Sequence, residues 1–165
     1  MPAAPRDWAV PFLEQARADL STAWAIPASA RGSTFCMLVQ MVFEKLAKAA
    51  FARSGQVVPR NHQVAARFFP KILRRPGGVP LLQANVAAQQ FVLELELAQP
   101  SIAGQLPQPC PQLEYPWEDP ATSSVHYPEV GLPLVRRVQD PRSRIALDCL
   151  RFARALEQQL FMLIP

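Results

Sequence analysis

His62 and His126 are the two histidines of the chain, and between them they bound its neutral-pH proton chemistry. Arg60-Asn61-His62, with Arg67 five residues on, sets guanidinium forks that suit phosphate beside a side chain that can act as general base. Arg60, His62 and Arg67 are therefore the candidate catalytic residues. The competing reading of His62 is a residue near a helix N-terminus that makes a local hydrogen bond. His126 lies in a proline-rich stretch with no basic neighbour. Glu114, Glu118 and Asp119 surround Trp117; paired carboxylates can hold a metal or share a proton, but these lie in a loop with no histidine beside them, and solvated loop charges are the reading preferred.

Other chemistries find no footing. Gly77-Gly78 stands outside the pattern of a phosphate-binding P-loop and reads as a turn. The chain contains no G-x-S-x-G, H-E-x-x-H or G-x-G-x-x-G. Cys36, Cys110 and Cys149 are far apart, with no C-x-x-C spacing for zinc or redox work, and an odd count fits a reducing compartment. No metal and no cofactor is expected. Trp8, Trp24 and Trp117 read as packing groups rather than as a platform for stacked bases.

The formal net charge is +4, a mild excess that is strongly clustered. Arg60, Arg67, Lys71, Arg74 and Arg75 form one group; Arg136, Arg137, Arg142, Arg144, Arg151 and Arg154 form another. Clustering matters more than the total for a polyanionic partner. The candidate nucleic-acid contacts are Arg67, Lys71, Arg74, Arg75, Arg144, Arg151 and Arg154. The plainer alternative is two solvated helix faces.

The elements that must hold these groups are helical by pattern. A chain of 165 residues, 50% hydrophobic and 18% charged, folds most simply as one domain, residues 1–165. No apolar run reaches the ~18 residues of a membrane span, and the N-terminus has an early acid and prolines where a signal peptide needs an apolar core. A cytoplasmic protein without membrane contact is expected. The first helix is expected from Trp8 to Ala25, capped by Asp7 and ended by Pro27, with Phe12, Ala16, Leu20, Ala23 and Trp24 facing inward. The second, Ser33 to Gly55, carries the clearest signal. Ser33 and Thr34 can cap it, and Phe35, Leu38, Val39, Val42, Phe43, Leu46, Ala49 and Ala50 keep helical spacing. Arg53 suits its last turn, and Gly55 suits a left-handed stop. Gln40, Glu44, Lys45 and Lys48 interrupt its stripe.

Asn61 is expected to cap a short helix that Pro70 kinks or ends, with KILRR adding a further turn. One helix is then expected from Leu81 to Leu97, with Leu82, Val86, Gln89, Val92 or Leu93, and Leu97 inward; its LELEL tail alternates like a strand, but length favours helix. Eight of the chain's 18 prolines fall between Gln99 and Asp140. Its aromatic and aliphatic residues argue against a disordered linker. An extended arm over 98–140 is expected, packed on the helices with Tyr115 and Trp117 as anchors. Asp140-Pro141 reads as the cap of a final helix, 141–163, with Ile145, Cys149 or Leu150, Phe152, Leu156, Leu160 and Leu163 inward. The fold class is all-α: an antiparallel four- to five-helix bundle with a long proline-rich arm before its last helix.

FCMLVQMVFEKLAKAAF, then RSG, then NHQVA, resembles the first half of a HEPN domain (higher eukaryotes and prokaryotes nucleotide-binding). The positions that carry the resemblance are Gln40, Glu44, Lys45, Lys48, Ala49 and His62, within a core at 7–97. The resemblance implies a helical bundle, a homodimer, and membership of toxin–antitoxin, phage-defence or RNA-processing systems, where many relatives are metal-independent ribonucleases with an R-x(4–6)-H motif. That motif is absent. The window before His62 holds Gly55, Gln56 and Val57, the window before His126 holds Asp119, Pro120 and Ala121, and the last helix has no histidine. A non-catalytic HEPN-like protein of a bacterial defence or toxin–antitoxin-type system is therefore expected. It would act by binding RNA or a protein such as a second copy or a nucleotidyltransferase. A dimer of standard interface, ~1,600 Å² in all, would fit. The alternatives are a divergent ribonuclease built on Arg60, His62 and Arg67, and a nucleic-acid-binding helical module.

Overall fold

The computed structural model describes residues 4–98, 112–119 and 121–165, and they are mostly helical. A 3-10 turn at Pro5–Trp8 leads into α1 (Ala9–Ala25), and a second at Ala28–Ala30 precedes α2 (Ser33–Arg53). Then come α3 (Ala65–Leu73), α4 (Gly78–Gln83) and α5 (Val86–Leu97). A small antiparallel hairpin, β1 (Trp117–Asp119) with β2 (Ser124–His126), pairs Trp117 with His126. Two short helices, α6 (Pro128–Gly131) and α7 (Pro133–Gln139), lead to α8 (Ile145–Leu163).

Helix α2 is the hub. It packs on α1, α3, α5, α7 and α8. Its expected stripe is inward, with Leu38 half-buried, and Cys36, Ala47, Phe51 and Ala52 are buried too, so the helix is apolar over most of its circumference, as a central helix must be. Phe43 lies 5.3 Å from Phe152 of α8 and edge-on to Phe69 of α3 at 6.3 Å, and Phe69 and Phe152 are 5.8 Å apart. This aromatic triangle joins three helices.

The stop of α2 is as expected: Gly55 has φ +69, its N–H donates to Ala52, and the Gln56 N–H donates to Phe51. These two bonds form a Schellman closure. The start differs. Gly32, not Ser33 or Thr34, is the N-cap, and no side chain of the first turn caps it. Glu129 of α6 takes that role, accepting from the Ser33 N–H at 2.8 Å and the Ser33 hydroxyl at 2.9 Å.

Other expectations shift for local reasons. Asp7 lies inside the first 3-10 turn, where its carboxylate accepts from the Ala4 N–H. Leu13, not Trp24, belongs to the core of α1, and Trp24 is 45% exposed. Helix α3 opens at Ala65 rather than Asn61, and it runs through Pro70 to Leu73. Pro70 has no N–H for the carbonyl of Ala66, a residue on the exposed side of the helix. The helix expected over 81–97 is two helices. Asn85 donates its side-chain amide to the Leu81 carbonyl at 2.7 Å and takes a non-helical backbone, which breaks the run. The break rotates the inner face, so Val86 and Leu97 are exposed while Ala88, Phe91, Val92 and Leu95 are buried.

The segment 112–140 is not an extended arm. Leu113 is buried and returns to the end of α5, its N–H donating to the Ala98 carbonyl at 2.9 Å. Trp117 anchors the hairpin, stacked on His126 and pressed against Gly131, where a Cβ would come within 2.9 Å of the indole. Tyr115 is exposed and anchors nothing. The expected extension at 99–111 lies outside the described residues. Asp140 caps no helix at Pro141; it accepts from the Arg142 N–H, and α8 starts at Ile145, whose N–H reaches Ser143 Oγ. Every expected inward residue of α8 is buried.

Candidate functional site

Gln40, Glu44 and Lys48 stand one turn apart on α2, so a single edge of the helix carries an amide, an acid and a cation. Glu44 is buried, yet its two oxygens are fully used. Oε1 accepts from Lys48 Nζ at 2.6 Å, and Oε2 lies 2.8 Å from His62 Nδ1 and 3.3 Å from Gln40 Nε2. Gln40 also donates to the backbone carbonyl of His62 at 3.4 Å. Burial raises the carboxyl pKa of Glu44, but the hydrogen bonds from Lys48 and His62 outweigh it and hold the group below its ordinary 4.5. With a carboxylate at Nδ1, the imidazole is assigned as the Nδ1–H donor, and Nε2 has no hydrogen-bond partner among the described residues on a ring whose side chain is 44% exposed.

A second buried acid fixes the same connector. Glu96 of α5 accepts from the N–H groups of Val64, Ala65 and Ala66 at 2.8, 2.6 and 3.3 Å. These are donors at the start of α3 with no intrahelical partner. Burial pushes the Glu96 pKa up, the three backbone donors pull it back in part, and the nearby charge of Glu44 adds to the rise.

The three candidate catalytic residues do not form one constellation. His62 is tied to Glu44. Arg60 faces a separate cavity with Trp8, Phe12 and Lys48. Arg67 lies on the exposed side of α3, at the spacing that puts it with Lys71 and Arg74.

Lys71 and Arg74, though not Arg67, belong to a basic concavity of 530 Å³, lined by Arg6, Ser54, Gln56, Lys71, Arg74, Arg75, Ile164 and Pro165. Lys71 crosses the Phe51 ring at 3.8 Å and donates to Gln56 Oε1. Burial, then the charges of Arg67 and Arg74, lower its pKa from 10.5. Positive charge is thus packed against positive charge. Among the described residues no ion pair joins Arg6, Arg67, Lys71, Arg74 or Arg75 to an acid, and the sequence has no Asp or Glu between Glu44 and Glu94.

The second arginine group is dispersed. Arg137 pairs with Glu94 at 2.6 Å and lies over Phe91. Arg154 faces Glu157, which also holds Arg17. Arg136 donates to the Val130 carbonyl. Arg144 borders a smaller cavity beside Asp148, and Arg151 is exposed on α8. The candidate nucleic-acid contacts therefore divide: Arg67, Lys71, Arg74 and Arg75 form one face, while Arg144, Arg151 and Arg154 sit on another helix. Sequence reasoning missed Arg6, which reaches the concavity from the turn before α1. It also missed Glu96, whose acidic position in an alternating LELEL run gave no hint of a capping role.

Asp119 of the loop acids binds the Ala121 N–H and the Thr122 hydroxyl, closing the hairpin turn. No group of residues able to hold a metal ion occurs among the described residues. Burial pushes the Cys36 thiol up to about 12 and raises Cys149 as well, so both are packing groups. No helix among the described residues is long and apolar enough to cross a membrane. No protein-family model, no curated protein and no solved structure matches this chain.

Proposed function

We propose that this chain is a HEPN-like helical protein that binds the phosphate backbone of RNA through the face made by α3 and the turn before α1. The observation that carries the reading is the run of cations Arg67, Lys71, Arg74 and Arg75, joined by Arg6, with no acidic partner. An uncompensated patch of this kind releases counterions when phosphates replace them. The Gln40–Glu44–Lys45–Lys48 order of α2 supports the family side of the reading, with α1, α2, α5 and α8 as the antiparallel bundle. The missing R-x(4–6)-H motif supports binding rather than cleavage. A second copy or a nucleotidyltransferase as protein partner, in a defence or toxin–antitoxin-type setting, follows from the same resemblance.

Fluorescence anisotropy with a labelled single-stranded RNA tests it. Four contacts predict a loss of about 50-fold in affinity between 50 and 200 mM salt, from a slope of ~0.7 per phosphate. Changing Arg67, Lys71, Arg74 and Arg75 together to Gln should abolish binding, while Arg144→Gln with Arg151→Gln should leave it intact. Affinity that survives the first set removes the proposal. The ribonuclease alternative draws on the Glu44–His62 contact, which holds a histidine whose other ring nitrogen has no partner among the described residues. RNA cleavage that is lost in His62→Ala would favour it; cleavage that persists would take His62 out of the site.

A further inference from the structure

A separate cavity of 530 Å³ shares no residue with the basic concavity. Pro5, Trp8 and Phe12, from the entry to α1, form one wall; Val57, Val58 and Pro59, from the connector after α2, form another; Lys48 and Arg60 supply the polar groups. Trp8 and Phe12 are one helical turn apart, with ring centroids 6.2 Å from each other. Trp8 is 49% exposed and Val57 84% exposed, so this apolar surface is left open to water instead of joining the core. The volume lies in the ~300–1,000 Å³ range of small-molecule sites. Lys48 is committed to Glu44, whereas Arg60 has no ion-pair partner among the described residues.

We propose that this cavity binds a small amphipathic anion: a flat apolar body of one or two rings lying against Trp8 and Phe12, with a single carboxylate- or sulfonate-like group on the Arg60 guanidinium. Charge decides the class. Among the described residues no acid lines the cavity, so an organic cation has no partner there. A neutral apolar ligand would strip water from Arg60 and leave it unpaired. A polyphosphate would place its further charges against Val57, Val58 and the two prolines, with one uncommitted cation to meet them. An aromatic acid satisfies both halves: the rings replace water over the indole, and the acid group takes a charge-assisted bond from the guanidinium fork.

The probe is 8-anilino-1-naphthalenesulfonate, titrated into the full chain by fluorescence, with the uncharged N-phenyl-1-naphthylamine as comparison. Saturable binding of the sulfonate is expected. Arg60→Gln should weaken the sulfonate about tenfold, the worth of one charge-assisted contact, and should not weaken the uncharged probe, which no longer strips water from a guanidinium. Trp8→Ala, at an exposed position that leaves the core intact, should weaken both probes. Sulfonate affinity that is the same in Arg60→Gln, or the same in Trp8→Ala, overturns the proposal, as does the absence of saturation at millimolar probe. The Gln variants of Arg67, Lys71, Arg74 and Arg75 should bind the probe normally, so this site and the RNA face can fail separately.

Discussion

Glu96→Ala removes an acceptor shared by three backbone N–H groups. Val64 and Ala65 are fully buried, and both donate to the same oxygen, Oε1, at 2.8 and 2.6 Å. Ala66 is exposed, donates to Oε2 at 3.3 Å, and can turn to water. A buried donor left without a partner costs about 1–3 kcal/mol, so the two buried ones together put about 2–6 kcal/mol at stake. Removing a carboxylate that burial already disfavours returns part of this. The expected net loss is about 3 kcal/mol, a large share of a domain stability of 5–15 kcal/mol. For a chain of this length it should lower the melting temperature by about 10 °C.

Glu96→Gln separates the acceptor from the charge. The amide oxygen can still take both short bonds from Val64 and Ala65, and its NH2 group faces only the weaker Ala66 donor. The expected cost is about 1 kcal/mol. Urea melts followed by circular dichroism at pH 7 give both numbers, and amide exchange should show Val64 and Ala65 losing protection in Glu96→Ala ahead of the rest of the core. A Glu96→Ala stability equal to that of the parent, or a Gln variant as costly as the Ala variant, would refute the capping role.

Glu44 should support stability in the opposite pH sense from Glu96. Its pKa is lowered in the fold, so its contribution is complete above 4.5 and is lost as pH falls through the folded value; Glu44→Gln should flatten the acid limb of a urea-melt series between pH 7 and 3, and unchanged slopes would contradict this. The raised pKa of Glu96 means that the fold holds that proton more tightly than the unfolded chain does, so its share of stability declines as pH rises from 4.5, a decline Glu96→Gln should remove. Gly32→Ala would place a Cβ 2.0 Å from Glu129 Oε1 and push the cap off α2; it should cost about 1 kcal/mol in thermal melts, and almost nothing once Glu129 is already Ala. Gly78→Ala meets the Ile72 backbone carbonyl at 1.9 Å, which no rotamer relieves, and should cost about 3 kcal/mol, while Gly77→Ala, whose nearest neighbour is a flexible Leu163 methyl at 3.1 Å, should cost clearly less in the same melts.

What could be read in the sequence was what is local. The stripe and the glycine stop of α2 lie within one stretch of chain, as do the inward residues of α8, and both are found as expected. The start of α2 was illegible because its cap comes from Glu129, 96 residues away. Asn85 broke an apolar period that looked continuous, since a side-chain bond to the backbone leaves no mark on the hydrophobic pattern. Pro128 and Pro133 were read as signs of extension, yet each occupies the first turn of a short helix, where the missing N–H costs nothing. At the site, Gln40, Glu44 and Lys48 showed their shared edge by spacing, and α3 showed its cations. The bond from Glu44 to His62 and the arrival of Arg6 are tertiary, and no spacing rule reaches them.

The burial of the acids explains why a net charge of only +4 leaves so bare a basic face. Asp19, Glu44, Glu96 and Glu157 are all buried. Asp19 holds Lys45, Glu44 holds Lys48, and Glu157 holds Arg17 and Arg154, so these acids consume cations on α1, α2 and α8. Glu96 consumes none, because its partners are backbone N–H groups. It thereby anchors the first turn of α3 while leaving every cation of that helix unneutralised. One carboxylate positions the helix and, by bonding to amides rather than to side chains, keeps Arg67, Lys71 and Arg74 available to an outside anion. An acid that reached α3 through a salt bridge would have held it in place but neutralised one of its cations.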